Sequence, residues 1–309
     1  MSMYERSGGM PMRIAARKGS PAEERYYRNS ALPGVAWPMP KAIAPGVSPQ
    51  PLEDLIFHGG KTVPQMQFQN VFLGGKADWE ESDIVSIDRA ITLAMQDKRL
   101  NNVMQQFFHA TSLTCDPIAP LRLEEPKPEE LDEPDVQAKL VSLFRSKLIT
   151  HSDLDSTVFN LVLPRGTILA LGESNSLDGL GGYHGSVHLQ QRGRRVTLYY
   201  SANVFSEGSN GIPAFDKPWK NVVGTLYHEL NEFRTDADVK DAIESGDNDF
   251  LGFMSRSGRE CGDEPIFAAP SLDMVFQEVM VAADATRVPV QFMYSNAVHG
   301  PEGPIDAPH

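Results

Sequence analysis

The sequence predicts an α+β fold, and three observations carry that expectation. Some segments repeat apolar residues at three-to-four spacing, as amphipathic helices do. Others are short β-branched and aromatic runs punctuated by Pro and Gly. The two kinds are mixed without a strict βαβ alternation. At 309 residues and 34.1 kDa the chain can bury a large core, as one big domain or two ordinary ones.

Taken in order, residues 1–50 hold seven Lys/Arg, three Glu and seven of the 23 prolines, with no sustained period. They read as a basic, extended arm preceding a domain over 51–309. QFQNVFL (67–73) suits a strand. Ser82 can cap a helix whose apolar positions are Ile84, Ile87, Ile91 and Met95. EEPKPEELDEPD (124–135), with seven acids and three prolines, reads as a solvated acidic linker. Asp135 to Leu148 follows as a helix with Val136, Leu140, Phe144 and Leu148 every four residues. TVFNLVLP, GTILALG and RRVTLYYSANV are strand-like. A helix fits 219–234, a long one fits 271–286, and VPVQFMY closes the domain as a strand.

Charge and composition exclude several classes. The formal charge is −13, and since the arm is basic the body is more acidic still. Nucleic acids and anionic membranes call for a basic footprint, so neither is expected as a partner. No run approaches the roughly 18 apolar residues of a membrane helix. The N-terminus lacks the apolar core of a secretory signal, which points to a cytoplasmic protein. Two cysteines, Cys115 and Cys261, permit one disulfide at most. GLGGYHG (179–185) does not open a helix and reads as a flexible turn, not a phosphate cradle. No GxSxG elbow occurs, and Trp79, Trp219, Tyr199 and Tyr200 read as packing residues.

The sharpest chemical signal is YHELNEFRTD (227–236). His228 and Glu232 are four apart, hence neighbours on one helical face, and can grip one ion together. Glu229 stands where HExxH metallohydrolases hold their general base. The same helix gathers Trp219, Val222, Val223, Leu226, Leu230 and Phe233 on one side. Thr225, His228, Glu229, Glu232 and Asp236 occupy another, a polar stripe that could equally be a solvated face. A third ligand is required. Asp236 can join if the helix ends near Thr235; otherwise Glu260, Asp263 and Glu264 of GRECGDEP are available. In GGYHGSVHL, His184 and His188 would stand about 13 Å apart on a strand, so only one, His184, could line the site.

In their order, FHGGKTV, GGYHG, YHELNEFRTD, RECGDEP and VPVQFMYSN resemble the EXORDIUM-like (phosphate-induced protein) family over roughly residues 57 to 296. That family comprises plant growth-associated secreted proteins and bacterial relatives. The resemblance implies a zincin-like fold, with a mixed sheet packed against the helix bearing the histidine. It carries His228, Glu229, Glu232, Thr235 and Asp236 onto the helix motif, Glu260 and Asp263 onto an acidic segment, and Tyr183 and His184 onto YHG. Gly181, and Pro265 or a neighbour, stand where family cysteines are expected, which suits an intracellular branch. Ala237 replaces a proline and weakens the helix stop.

The expected function is a zinc-dependent, peptidase-like hydrolase acting on a peptide or small amide. His228 and Glu232 would bind Zn2+, with Asp236, Glu260 or Asp263 completing the sphere. Glu229 would activate water, and Tyr183 or His184 would donate to the oxyanion. The alternative is a non-catalytic binding or signalling protein that retains a structural metal. One His plus carboxylates also suits iron or manganese. Oligomeric state is not legible.

Overall fold

The computed structural model describes residues 43–108, 111–150, 153–281 and 286–309. Most of the predicted arm therefore lies outside the described residues. Its last stretch is docked on the body: Ile43 bridges Glu302, Ala44 N donates to Pro301 O, and Ala44 and Val47 are buried.

The fold is α+β. Its centre is a five-stranded sheet of β1 (Gln65–Phe72), β2 (Thr114–Arg122), β3 (Thr157–Val162), β4 (Gly182–Gln191) and β5 (Arg194–Asn203), in the order β2-β1-β3-β5-β4. Strands β2, β1, β3 and β5 run parallel, and β4 is an antiparallel edge. All six residues of β3 are buried, as expected of a central parallel strand covered on both faces. The β4–β5 turn is Arg192–Gly193, with φ of 51° and 76°. Positive φ at both turn residues matches the strands' own twist and fixes the register of this hairpin of two ten-residue strands.

Six helices occur among the described residues: α1 (Glu81–Gln96), α2 (Lys98–Met104), α3 (Glu133–Arg145), α4 (Pro218–Thr235), α5 (Val239–Ser245) and α6 (Asp263–Ala268). One sheet face, carrying Phe68, Phe72, Val158, Val162 and Tyr199, packs under α1 and α4. The other, carrying Val71, Phe159, Leu161, Leu198 and Tyr200, packs against Val136, Leu140 and Leu143 of α3. Among the described residues no helix is long and apolar enough to cross a membrane.

Several expectations are corrected. Residues 271–286 do not form a long helix. A 3-10 turn (Leu272–Met274) leads into β6 (Phe276–Met280), which pairs antiparallel with β7 (Arg287–Gln291). Val275, Phe276 and Val279 fall at helical spacing, but Phe276 and Val279 pair with Gln291 and Val288; the partner VPVQ, invisible to local periodicity, decides. Residues 282–285 of that segment lie outside the described residues. Helix α1 starts at Glu81, so Ser82 sits in its first turn rather than capping it. The acidic run is not wholly linker. Glu130–Leu131 pairs with Ile168–Leu169, and Asp132 caps α3 by accepting from Asp135 N at 2.9 Å. Helix α3 ends at Arg145, leaving Leu148 beyond it and exposed.

Candidate metal centre

Helix α4 is held by its apolar side. Val222, Val223, Leu226, Leu230 and Phe233 are fully buried, each contributing roughly 1.5–3 kcal/mol. That is enough to offset an unfavourable polar side, and the polar side is buried too: His228, Glu229 and Glu232 have 0% exposure. The stripe is not a solvated face.

His228 is fixed by its second shell. Gln291, the last residue of β7, donates through Nε2 to Gly262 O, so its Oε1 must be the acceptor for His228 Nδ1–H at 2.9 Å. The remaining nitrogen, Nε2, points at Glu232 Oε2, 2.9 Å away. In the neutral tautomer two lone pairs would face each other there, a repulsive arrangement unless a proton or a cation lies between them. Glu232 is itself anchored, since its Oε1 accepts from Gly262 N and Asp263 N at 3.0 and 3.2 Å. Gly262 is required: a Cβ there would overlap the His228 ring.

The edge strand supplies the opposite wall. His184 Nδ1 lies 3.5 Å from Glu229 Oε2, and Nε2 lies 3.2 Å from Asp236 O and 3.9 Å from Glu260 Oε1. Helix α4 stops at Thr235 despite the absence of a following proline. Asp236 leaves helical geometry at φ −150°, ψ 67°, and its Oδ1 accepts from Gly252 N at 2.8 Å. That turn brings Asp236 into the buried cluster. Asp263 opens α6, beside the anchored carboxylate of Glu232.

Electrostatics follow from burying many acids together. Burial raises the Glu229 carboxyl and takes Asp236 to about 8. Glu260 and Asp263 are raised well above the carboxylate range by burial and then by neighbouring carboxylates. Burial alone would lower the histidines. The nearby Glu229 carboxylate lifts His184, and Glu232, Glu229 and Asp263 lift His228 to about 10. The cluster therefore gathers buried acids whose ionised forms are disfavoured and histidines whose protonated forms are favoured.

Its side-chain atoms are left unsaturated. Buried atoms without a hydrogen-bond partner include His184 Nδ1, His228 Nε2, both oxygens of Glu229, Glu232 Oε2, Asp236 Oδ2, Glu260 Oε1 and Asp263 Oδ1. Unsatisfied buried groups cost about 1–3 kcal/mol each, so such a concentration calls for a partner. Two triads offer ligand atoms within 4.8 Å of one another: His228, Glu229, Glu232 and His184, Glu232, Glu260.

Not every expected residue arrives. Tyr183 faces the other side of the sheet, its ring 6.2 Å from that of Tyr200 in the α3-facing core, because successive strand residues alternate. The expectation of a Tyr183 oxyanion donor is corrected accordingly. Glu264 accepts instead from Ser255 and Ser257 at 2.7 and 2.8 Å. His188 is engaged by Asp241 at 2.6 Å, away from the cluster. Cys115 and Cys261 are both free and buried, so no disulfide joins them. Sequence reasoning missed Gln291 and Gly262; their only signals were their places in VPVQFMYSN and RECGDEP. Compared with known proteins, the chain matches no protein-family model, and no curated protein matches it.

Proposed function

We propose that the chain is a metal-dependent hydrolase, with zinc the leading ion, that activates water for attack on an amide bond. The observation that carries the reading is the 2.9 Å approach of His228 Nε2 to Glu232 Oε2, on a ring whose other nitrogen is held by Gln291. His228 and Glu232 would hold the ion, with Glu260, Asp263 and Asp236 as the candidates to complete its sphere. An ion bound there would acidify a water molecule and polarise a carbonyl. Glu229, with both oxygens unpartnered, is placed to accept the water's proton. His184 Nδ1 lies 3.5 Å from Glu229 Oε2, which places His184 to orient that base.

A mixed sheet against the histidine-bearing helix supports the zincin-like part of the reading. EXORDIUM-like kinship rests on the ordered motifs. Free buried cysteines support a cytoplasmic setting, where thiols stay reduced. Complete burial of the donors favours a small amide or short peptide as substrate. It also favours the second reading, a closed structural ion in a non-catalytic binding protein. Two measurements separate them: metal content of native protein beside His228→Ala, and hydrolysis of short amides by wild type beside Glu229→Gln. Bound metal with activity that Glu229→Gln abolishes supports the hydrolase. Bound metal, four protein ligands and no hydrolysis support the structural ion.

A further inference from the structure

The donor atoms outnumber what one ion can use. We propose that the cluster is a two-ion centre in which Glu232 is the carboxylate shared by both ions, an inference that rests on the metal reading above. The candidate atoms divide into His228, Glu229, Glu232 on one side and His184, Glu232, Glu260 on the other; Glu229 stands in the first set as the base beside the ion, and Glu232 alone belongs to both sets. Each set has its own histidine on its own element, α4 or β4, and each histidine has its own anchor, Gln291 or Asp236 O. These are independent supports, not one ligand sphere counted twice.

Saturation and charge point the same way. A four-coordinate ion that keeps a position for water takes three protein ligands. Seven residues here offer unpartnered buried atoms: His184, His228, Glu229, Glu232, Asp236, Glu260 and Asp263. Five of these are carboxylates in a volume closed to solvent. One divalent ion neutralises fewer than half of that charge, whereas two leave a single formal negative charge, the residue a bound substrate or water can balance. Carboxylate-bridged pairs sit about 3.5–4 Å apart, a spacing that sets on opposite walls of one small cluster can provide. The excess of oxygen over nitrogen donors suits manganese or iron in the His184 set at least as well as zinc.

The test uses full-length protein stripped with EDTA, reloaded with Mn2+ alone, dialysed, and read by elemental analysis and electron paramagnetic resonance. Two Mn2+ per chain with an exchange-coupled spectrum is the expected result. Glu260→Gln and His184→Ala, checked for folding by circular dichroism, should each drop to one uncoupled ion. One ion in wild type overturns the two-ion centre and leaves the single-ion hydrolase standing; no ion with Mn2+ and none in a parallel reload with Zn2+ overturns both. Two ions without coupling also overturn it, since a shared Glu232 requires proximity. Should the variants not fold, wild-type stoichiometry and coupling decide alone.

Discussion

Two buried polar systems share one face of the central sheet and differ in how they are satisfied. The first begins at Asp88 on α1, which accepts from Asn70. Asn70 accepts from Asn160, Asn160 from Ser201, and Ser201 from Asn203, every link 2.8–2.9 Å. The second is the His–carboxylate cluster. They belong to one row: Asn70, Asn160, Ser201 and His184 stand directly opposite one another across β1, β3, β5 and β4. Amides and hydroxyls carry donors as well as acceptors, so a chain of them saturates itself. Ionised carboxylates only accept, so five of them cannot. The ladder satisfies each of its linking atoms within the protein and leaves only Asn203 Oδ1 at its end unpartnered, whereas the cluster, on the proposed reading, is completed by cations.

Catalysis should be the largest difference. Glu229→Gln keeps the shape of the side chain and removes the base, so hydrolysis of a demonstrated amide substrate should fall about 10²–10⁴-fold in kcat. Asn160→Ala, assayed where it is folded, should leave kcat within a few-fold. Equal losses in both would erase the distinction between the two systems.

Stability should separate them with opposite signs. Asn160→Ala strips partners from both Asn70 and Ser201, at about 1–3 kcal/mol for each group left unsatisfied. Urea unfolding should show that loss with or without metal. In EDTA-treated protein, Glu260→Gln replaces an acid whose ionised form is disfavoured by burial and by neighbouring carboxylates, and should leave stability unchanged or higher. A clear loss in the EDTA-treated variant would mean that Glu260 is structural like the ladder.

Acidity sharpens the same contrast. Burial holds Asp236 at about 8 in the fold, against an ordinary value of 3.8. A group raised in the folded state contributes stability that is present below its unfolded value and lost as pH rises through the folded one. Stability of EDTA-treated protein should therefore decline from about pH 4 to beyond pH 8. Metal-loaded protein should trend the other way over the same window, because ligands must shed protons to bind an ion. Parallel pH profiles with and without metal would remove the cluster's claim to be an ion site.

How much of this was visible beforehand depends on the range of each signal. His228, Glu229 and Glu232 were legible because helical neighbours are fixed by local spacing. The helix stop that frees Asp236 was not, since no proline marks it and the carboxylate is held by Gly252, sixteen residues on. Tyr183 was a recoverable error: once GGYHG is a strand, adjacent residues point to opposite faces, and only one of Tyr183 and His184 can meet α4. The β6–β7 pairing was hidden because its apolar residues fall at helical spacing and only the partner strand overrides that period. The Asn70–Asn160–Ser201 ladder needs the register of three parallel strands, which no single segment encodes.

The smallest effect tests the boundary between the two systems, where a neutral amide serves the charged cluster. Gln291 touches no ligand position; it accepts from His228 Nδ1 and donates to Gly262 O, tying ring orientation to the loop that also anchors Glu232. Gln291→Leu keeps the volume but frees the ring and leaves Nδ1–H buried without an acceptor. Metal affinity, measured by competition with a chelator, should weaken about 10–100-fold. Gln291→Glu restores the acceptor with a charge and should recover most of that loss. If Leu and Glu weaken binding equally, the hydrogen bond is not what aims His228, and the packing of the ring against Gly262 must do so instead.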